Sequence, residues 1–314
     1  MRTFVALGDS TTAGYGDPDP AGGGWRGWAA LLAAGLPGGA EKPTASLTSA
    51  TLASRCGLAA LDRSDATGAV NFHNLATSGA RAADVARAQL PAALALRPDV
   101  AAVLVGVNDT LRGDFDPLGV SSALSRTVGA LREAGAVVLT GCLPDPGRMF
   151  RLPAPLARPL GRRIVQVNTA VHRVAAGYRS LHLHIPLQAG VYDRRMWSID
   201  RLHPGERGHR MLAGKYYDLL RDAGYPVGTR PSPEPTSPPP TRLAQAWWML
   251  TKGSQWLYAR STDLVPHLAK MAWIEWRSGA PAPLPGPPTC LAVSSPEGGG
   301  GPVQAWAPSW SSAM

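Results

Sequence analysis

The sequence predicts an α/β fold: a parallel sheet with helices packed on both faces. Three observations lead there. Five short apolar runs read as strands buried on both sides. Helical patterns lie between and after them, and strand alternating with helix implies right-handed crossovers in a parallel sheet. Polar clusters follow four of the five runs, where such sheets gather their working groups.

The predicted strands are Phe4–Gly8, Val70–Ala76, Val100–Val107, Ala136–Leu143 and Leu181–Pro186. A first helix is expected from Trp25 to Gly35, and a second from Ala82 to Leu96, bending at Pro91. The third carries Val120, Leu124, Val128 and Leu131 on one face and stops at Gly135. The fourth carries Ile164, Val167, Val171 and Val174 and stops at Gly177. The last follows Leu219 and Leu220 to Gly224. A glycine just past each of these three is an ordinary helix stop.

The expected organisation is one α/β domain over residues 1–226, interrupted by a long insertion at 36–69. Insertions of that length are lids, binding loops or unstructured chain. Residues 227–242, including "GTRPSPEPTSPPPTR", read as an extended Pro-rich linker. A Trp-rich helical extension follows at 243–279; seven of the ten tryptophans lie beyond residue 246. The Pro/Gly/Ser-rich stretch 280–314 is expected to be disordered. The extension has three readings: docking on the first domain, binding a protein partner, or touching a membrane surface, where Trp and basic residues are at home. Its modest basic content favours the first two.

The net charge is +9 over 314 residues, and residues 231–314 contribute little of it, with 5 Lys/Arg against 4 Asp/Glu. No compact basic cluster or nucleic-acid motif accompanies this charge, so no nucleic-acid partner is expected. Cys56, Cys142 and Cys290 are too few and too widely spaced for a disulfide framework or a zinc motif. Cys142 reads as a small buried residue. The N-terminal text enters a strand at once without the apolar segment of a signal peptide. No run is long enough to cross a membrane. A cytoplasmic location is therefore expected.

The polar clusters suit acyl transfer. Gly8-Asp9-Ser10-Thr11 follows the first strand, "NLATSGAR" with Gly79 the second, and "GVND" with Asn108 ends the third. "WSIDRLHPGERGH", with Asp200 and His203, precedes the last helix. A free serine hydroxyl is a weak nucleophile, so Ser10 needs a base within reach. His203 can take its proton and return it to the leaving group. Asp200, three residues earlier on a tight turn, can hold the other imidazole nitrogen and fix its tautomer. The side-chain amide of Asn108 and the backbone N–H groups of Gly79 and Ser10 can hold an oxyanion.

These four blocks resemble those of the SGNH, or GDSL-type, hydrolases in kind, order and spacing, over residues 1–225 apart from the insertion. "GDST" stands where GDSL is commoner, and the changed position is not catalytic. The resemblance implies a flavodoxin-like α/β/α sandwich with a five-stranded parallel sheet, cofactor- and metal-free ester hydrolysis, and the roles just given to Ser10, Gly79, Asn108, Asp200 and His203. It leaves the ester open among lipid-type esters, acylated thiols and O-acetylated sugars. A non-catalytic scaffold working through the extension is the rival reading, and loss of a block residue would have favoured it.

Other polar residues read as structural. Asp9 is expected to shape its turn, Asp109 to support the loop carrying Asn108, and His209 to serve at the start of the last helix. His73 reads as a satisfied strand residue. His182 and His184 alternate onto one strand face, but no third metal ligand is evident in the sequence. Trp25, Trp28 and Trp197 are candidates to line a cleft, with core packing at least as good a reading for the first two.

Overall fold

The computed structural model describes residues 3–22, 24–38 and 70–238, with a few positions between 241 and 277. Most of the 36–69 insertion, most of the Trp-rich extension and the whole of 280–314 lie outside the described residues.

Five parallel strands form one sheet in the order β2-β1-β3-β4-β5. They are β1 (Thr3–Gly8), β2 (Asn71–Asn74), β3 (Val100–Leu104), β4 (Val137–Cys142) and β5 (Leu181–His184). This is the flavodoxin-like sandwich that the family resemblance implies. The apolar text explains the order. Phe4, Val5, Ala6 and Leu7 of β1 are all 0% exposed, and β3 is buried throughout, so these two of the three inner strands are apolar on both faces. The edge strands β2 and β5 are half-buried and admit Asn71, His73, His182 and His184.

Helix α1 (Ser10–Ala13) starts one residue after β1, and α2 (Gly27–Ala34) follows it. The next helical stretch begins as α3 (Ala82–Asp84), passes through a π-turn at Val85–Gln89, and continues as α4 (Leu90–Ala95). The irregularity expected at Pro91 is thus a widened turn just before it. Leu90 N–H reaches back to Val85 O, and Pro91, with no N–H of its own, sits in the first turn of the new segment. Helix α5 (Val107–Thr110) interrupts the third predicted strand, which ends three residues short of Val107. The remaining helices are α6 (Pro117–Glu133), α7 (Pro146–Phe150), α8 (Ala154–Gly177) and α9 (Glu206–Asp222). Helices α2 and α9 pack together on one face; α3, α6 and α8 cover the other.

The first part of the Pro-rich segment forms neither helix nor strand, and it lies pinned along α2 and α9. Gly228 N–H donates to Gly35 O, and Tyr217 donates its hydroxyl to Gly228 O at 2.6 Å. Arg230 grips Asp218 with two nitrogens at 3.0 and 2.9 Å. Glu206 accepts from Thr236 N–H and hydroxyl and from Ser237 N–H, while Arg26 and Arg210 hold the same carboxylate.

Candidate active site

The sheet reverses its connection order between β1 and β3, which is where doubly wound sheets open a crevice beyond their carboxyl ends. Ser10 and Asn108 flank that point. Ser10 is the first residue of α1, capped by Asp9, whose carboxylate accepts Thr11 N–H at 3.0 Å. Gly8 has φ +153°, and a Cβ there would stand 2.2 Å from Leu104 O, so only glycine lets the chain leave the sheet at this angle. Its N–H and C=O are both paired with the Gln89 side-chain amide, at 2.8 and 2.9 Å. Gln89 thus braces the turn before Ser10 from the π-turn across the sheet. No pattern in the sequence singles it out.

The loop between Trp197 and Pro204 closes on itself. Ser198 N–H donates to His203 O, and Gly205 N–H to Met196 O. Asp200 Oδ1 accepts from Leu202 N–H, His203 N–H and the Ser198 hydroxyl. Its Oδ2 lies 2.6 Å from His203 Nδ1, and His203 Nε2 lies 2.8 Å from Ser10 Oγ. Carboxylate, imidazole and hydroxyl therefore form one unbroken chain, 193 residues apart in sequence at its last link. Burial pushes the Asp200 carboxyl up, but the bonds from His203 and Ser198 and the adjacent imidazole outweigh it and hold the group below the ordinary carboxylate range.

Gly79 and Asn108 arrive from the neighbouring strand ends. Thr77 N–H donates to Gly8 O, and Ala80 N–H to Thr77 O, so a tight turn containing Gly79 is fastened to the end of β1. Gly79 has φ +80°, a conformation costly for any other residue at this turn position. Asn108 Nδ2 donates to Ala80 O at 3.0 Å, leaving its second amide hydrogen to aim elsewhere. Asp109 accepts Ala82 N–H and so ties this loop to the start of α3. Burial pushes the Asp9 and Asp109 carboxyls each up to about 6. Asp9, Asp109 and His209 keep the structural parts expected of them. His209 is fully buried between Trp28 N–H and Tyr15 O, and burial pushes its imidazole down to about 4.

Beside Ser10 and His203 opens a pocket with about 700 Å³ of free space, part of it open to solvent. Leu143, Met149, Val191, Met196, Trp197 and Met211 form much of its wall. Trp197 is held by a bond from its indole N–H to Val191 O. Trp28 is core, packed on Tyr216, whereas Trp25 is 37% exposed and stacks on Tyr15, whose ring lies against His203. Core packing is thus the right reading for Trp28 and the wrong one for Trp25.

At the β4–β5 edge His172 and Cys142 stand beside His182 and His184, companions that are not evident in the sequence.

Residues 44–211, more than half of the chain, match the GDSL-like lipase/acylhydrolase family. The protein belongs to that family. The matched span contains Gly79, Asn108, Asp200 and His203; Ser10 precedes it and is joined to them by the fold. A GDSL-like esterase of Mycobacterium tuberculosis is 33% identical over 132 residues, covering 40% of this chain and 41% of that protein. The chain thus spans under half of that relative's length. Among solved structures, TesA is 24% identical and covers 70% of this chain and 99% of its own, with a TM-score of 0.48. An acetyl xylan esterase from Geobacillus stearothermophilus is 17% identical, covering 73% and 97%, also at 0.48. For this GDSL family member, no helix among the described residues is long and apolar enough to cross a membrane.

Proposed function

We propose that the protein is a serine hydrolase that cleaves a carboxylic ester with an apolar acyl group through an acyl-serine intermediate. The carrying observation is the hydrogen-bonded chain from Ser10 Oγ through His203 to Asp200. Family membership supports it.

Ser10 Oγ attacks the ester carbonyl carbon as its proton passes to His203 Nε2. The carbonyl π pair moves onto oxygen. The Ser10 and Gly79 N–H groups and the second hydrogen of Asn108 Nδ2 receive that charge. Asp200 keeps Nδ1 protonated and stabilises the imidazolium. Collapse breaks the bond to the alkoxy oxygen, which leaves as alcohol with the His203 proton. A water, deprotonated by His203, then attacks the acyl-Ser10 carbonyl. The second collapse releases the acid and returns the proton to Ser10 Oγ.

The apolar pocket beside Ser10 supports lipid-type esters over O-acetylated sugars, and its methionines suit acyl chains of varied shape. This reading puts catalysis in residues 1–226.

A fluorophosphonate probe should label the folded protein and fail to label Ser10→Ala, whose kcat/KM for an active ester should fall by roughly 10⁶-fold. Equal labelling of both proteins would overturn the assignment of Ser10. A chain-length series of nitrophenyl esters, run beside acetylated xylan, tests the acyl preference, and best activity on acetyl would overturn the apolar-acyl reading.

A further inference from the structure

We propose that Cys142, His172, His182 and His184 form a binding site for a zinc-class divalent ion, separate from the Ser10 rim.

Sheet register builds three quarters of it. Thr140 pairs with His182 and Cys142 with His184 across β4 and β5. Alternate residues of a strand share a face, so all four side chains stand on one side of the sheet. Helix α8 packs on that side and brings His172 over them. One ligand atom from each of Cys142, His172, His182 and His184 lies within 4.8 Å of every other.

The spacing suits a tetrahedral ion. Zinc bonds of ~2.0–2.1 Å to nitrogen and ~2.3 Å to sulfur require ligand-to-ligand edges of about 3.3–3.6 Å. His172 Nε2 and His184 Nδ1 are already 3.3 Å apart, and Cys142 Sγ is 3.8 Å from His184 Nδ1. Small side-chain movements close the remaining edges.

The donor chemistry narrows the ion. Three imidazoles and a thiol select zinc-like metals, while magnesium and calcium take oxygen donors, and the cluster contains no carboxylate. Thr140 Oγ1 lies 3.0 Å from His182 Nδ1 and so orients that ring. The opposite nitrogen, His182 Nε2, is buried with no hydrogen-bond partner among the described residues. A buried ring nitrogen without a partner is costly for a merely structural histidine and suits a ligand. Binding breaks the Cys142 S–H bond, forms a sulfur–metal bond and releases the proton to solvent. The half-buried imidazoles of edge strand β5 leave the ion a way in.

The full-length protein, stripped with a chelator, is titrated with Co²⁺. One equivalent should bind, with the intense visible bands of tetrahedral cobalt and a near-ultraviolet sulfur-to-cobalt band. Cys142→Ser should lose the sulfur band alone. The double variant His182→Asn/His184→Asn should weaken uptake by at least about 100-fold, the upper range for losing an outer-sphere partner. No uptake by the wild-type protein overturns the site. So does a weak octahedral spectrum, or a sulfur band that survives in Cys142→Ser. Should the double variant fail to fold, the wild-type and Cys142→Ser spectra still decide.

Discussion

Among the described residues, two places bring imidazoles to reactive partners, and the presence of a carboxylate distinguishes them. On the rim beyond β1 and β3, His203 lies between Asp200 and a hydroxyl, with its two nitrogens committed to opposite jobs. At the β4–β5 edge, three imidazoles face one another and a thiol. A carboxylate partner makes an imidazole a proton carrier, because it stabilises the charged form reached in mid-reaction. Without one, neighbouring imidazoles disfavour each other's protonation and keep lone pairs for a cation. On these two proposals the same residue type does different chemistry depending on what its second nitrogen meets.

Removing the distinguishing group is the sharpest way to break this contrast. Asp200→Asn should cut kcat by about 10⁴-fold, since the amide no longer enforces the reactive tautomer. Its Co²⁺ spectrum should match wild type. A loss below tenfold would mean that His203 does not depend on Asp200, and a changed spectrum would mean that the two regions are not independent.

A smaller effect tests the oxyanion side of the rim. Asn108→Ala should lower kcat by about 10²- to 10³-fold and leave KM nearly unchanged, because its donor is used only as charge develops. A change confined to KM would make Asn108 a substrate-binding residue instead.

The two regions also differ in how far the sequence reveals them. Gly8-Asp9-Ser10, Gly79 and Asn108 lie in the turns and short helices that follow β1, β2 and β3, and the Asp200–His203 pair lies just before α9, so predicting the strands and the last helix brings them to one rim. β1 and β3 were readable because burial on both faces leaves a continuous apolar run. β2 is shorter than the predicted Val70–Ala76, since an edge strand buries less and its polar text blurs its ends. Helices α1, α5 and α7 have four or five residues, too few to show a period. His182 and His184 were legible as a pair by alternation. Cys142 and His172 were not legible as their companions, because strand register and helix packing alone bring them there.

Stability offers a milder probe, at the strap rather than the rim. Glu206→Ala removes the acceptor shared by Arg26, Arg210, Thr236 and Ser237. It should cost about 1–3 kcal/mol in denaturant unfolding, as donors lose a charged partner. An unchanged midpoint would mean that the Glu206 bonds add nothing to the fold. Truncation after Pro226 also removes the bonds of Gly228 and Arg230 to Gly35, Tyr217 and Asp218 and should cost more.

The smallest effect concerns the residue beside Ser10, and its sign follows from linkage. Burial raises the Asp9 carboxyl from 3.8 to about 6 in the folded protein, so folding favours its protonated form. Its contribution to stability is fully present below about pH 4 and is lost as pH rises through about 6, where a buried charge must be kept. Asn caps a helix as well as Asp does and keeps an acceptor for Thr11 N–H. The Tm of Asp9→Asn minus that of wild type should therefore rise between about pH 4 and about pH 7. Asp109 adds a slope of the same sign. His209, lowered to about 4, adds one of opposite sign, since its stabilisation is lost as pH falls. His209 is common to the two proteins and cancels in the difference, whereas Asp109, whose charge acts on Asp9, cancels only in part. A flat difference would mean that the Asp9 carboxyl titrates alike folded and unfolded, and that the turn into Ser10 is less closed to water than the 3% exposure of Asp9 implies.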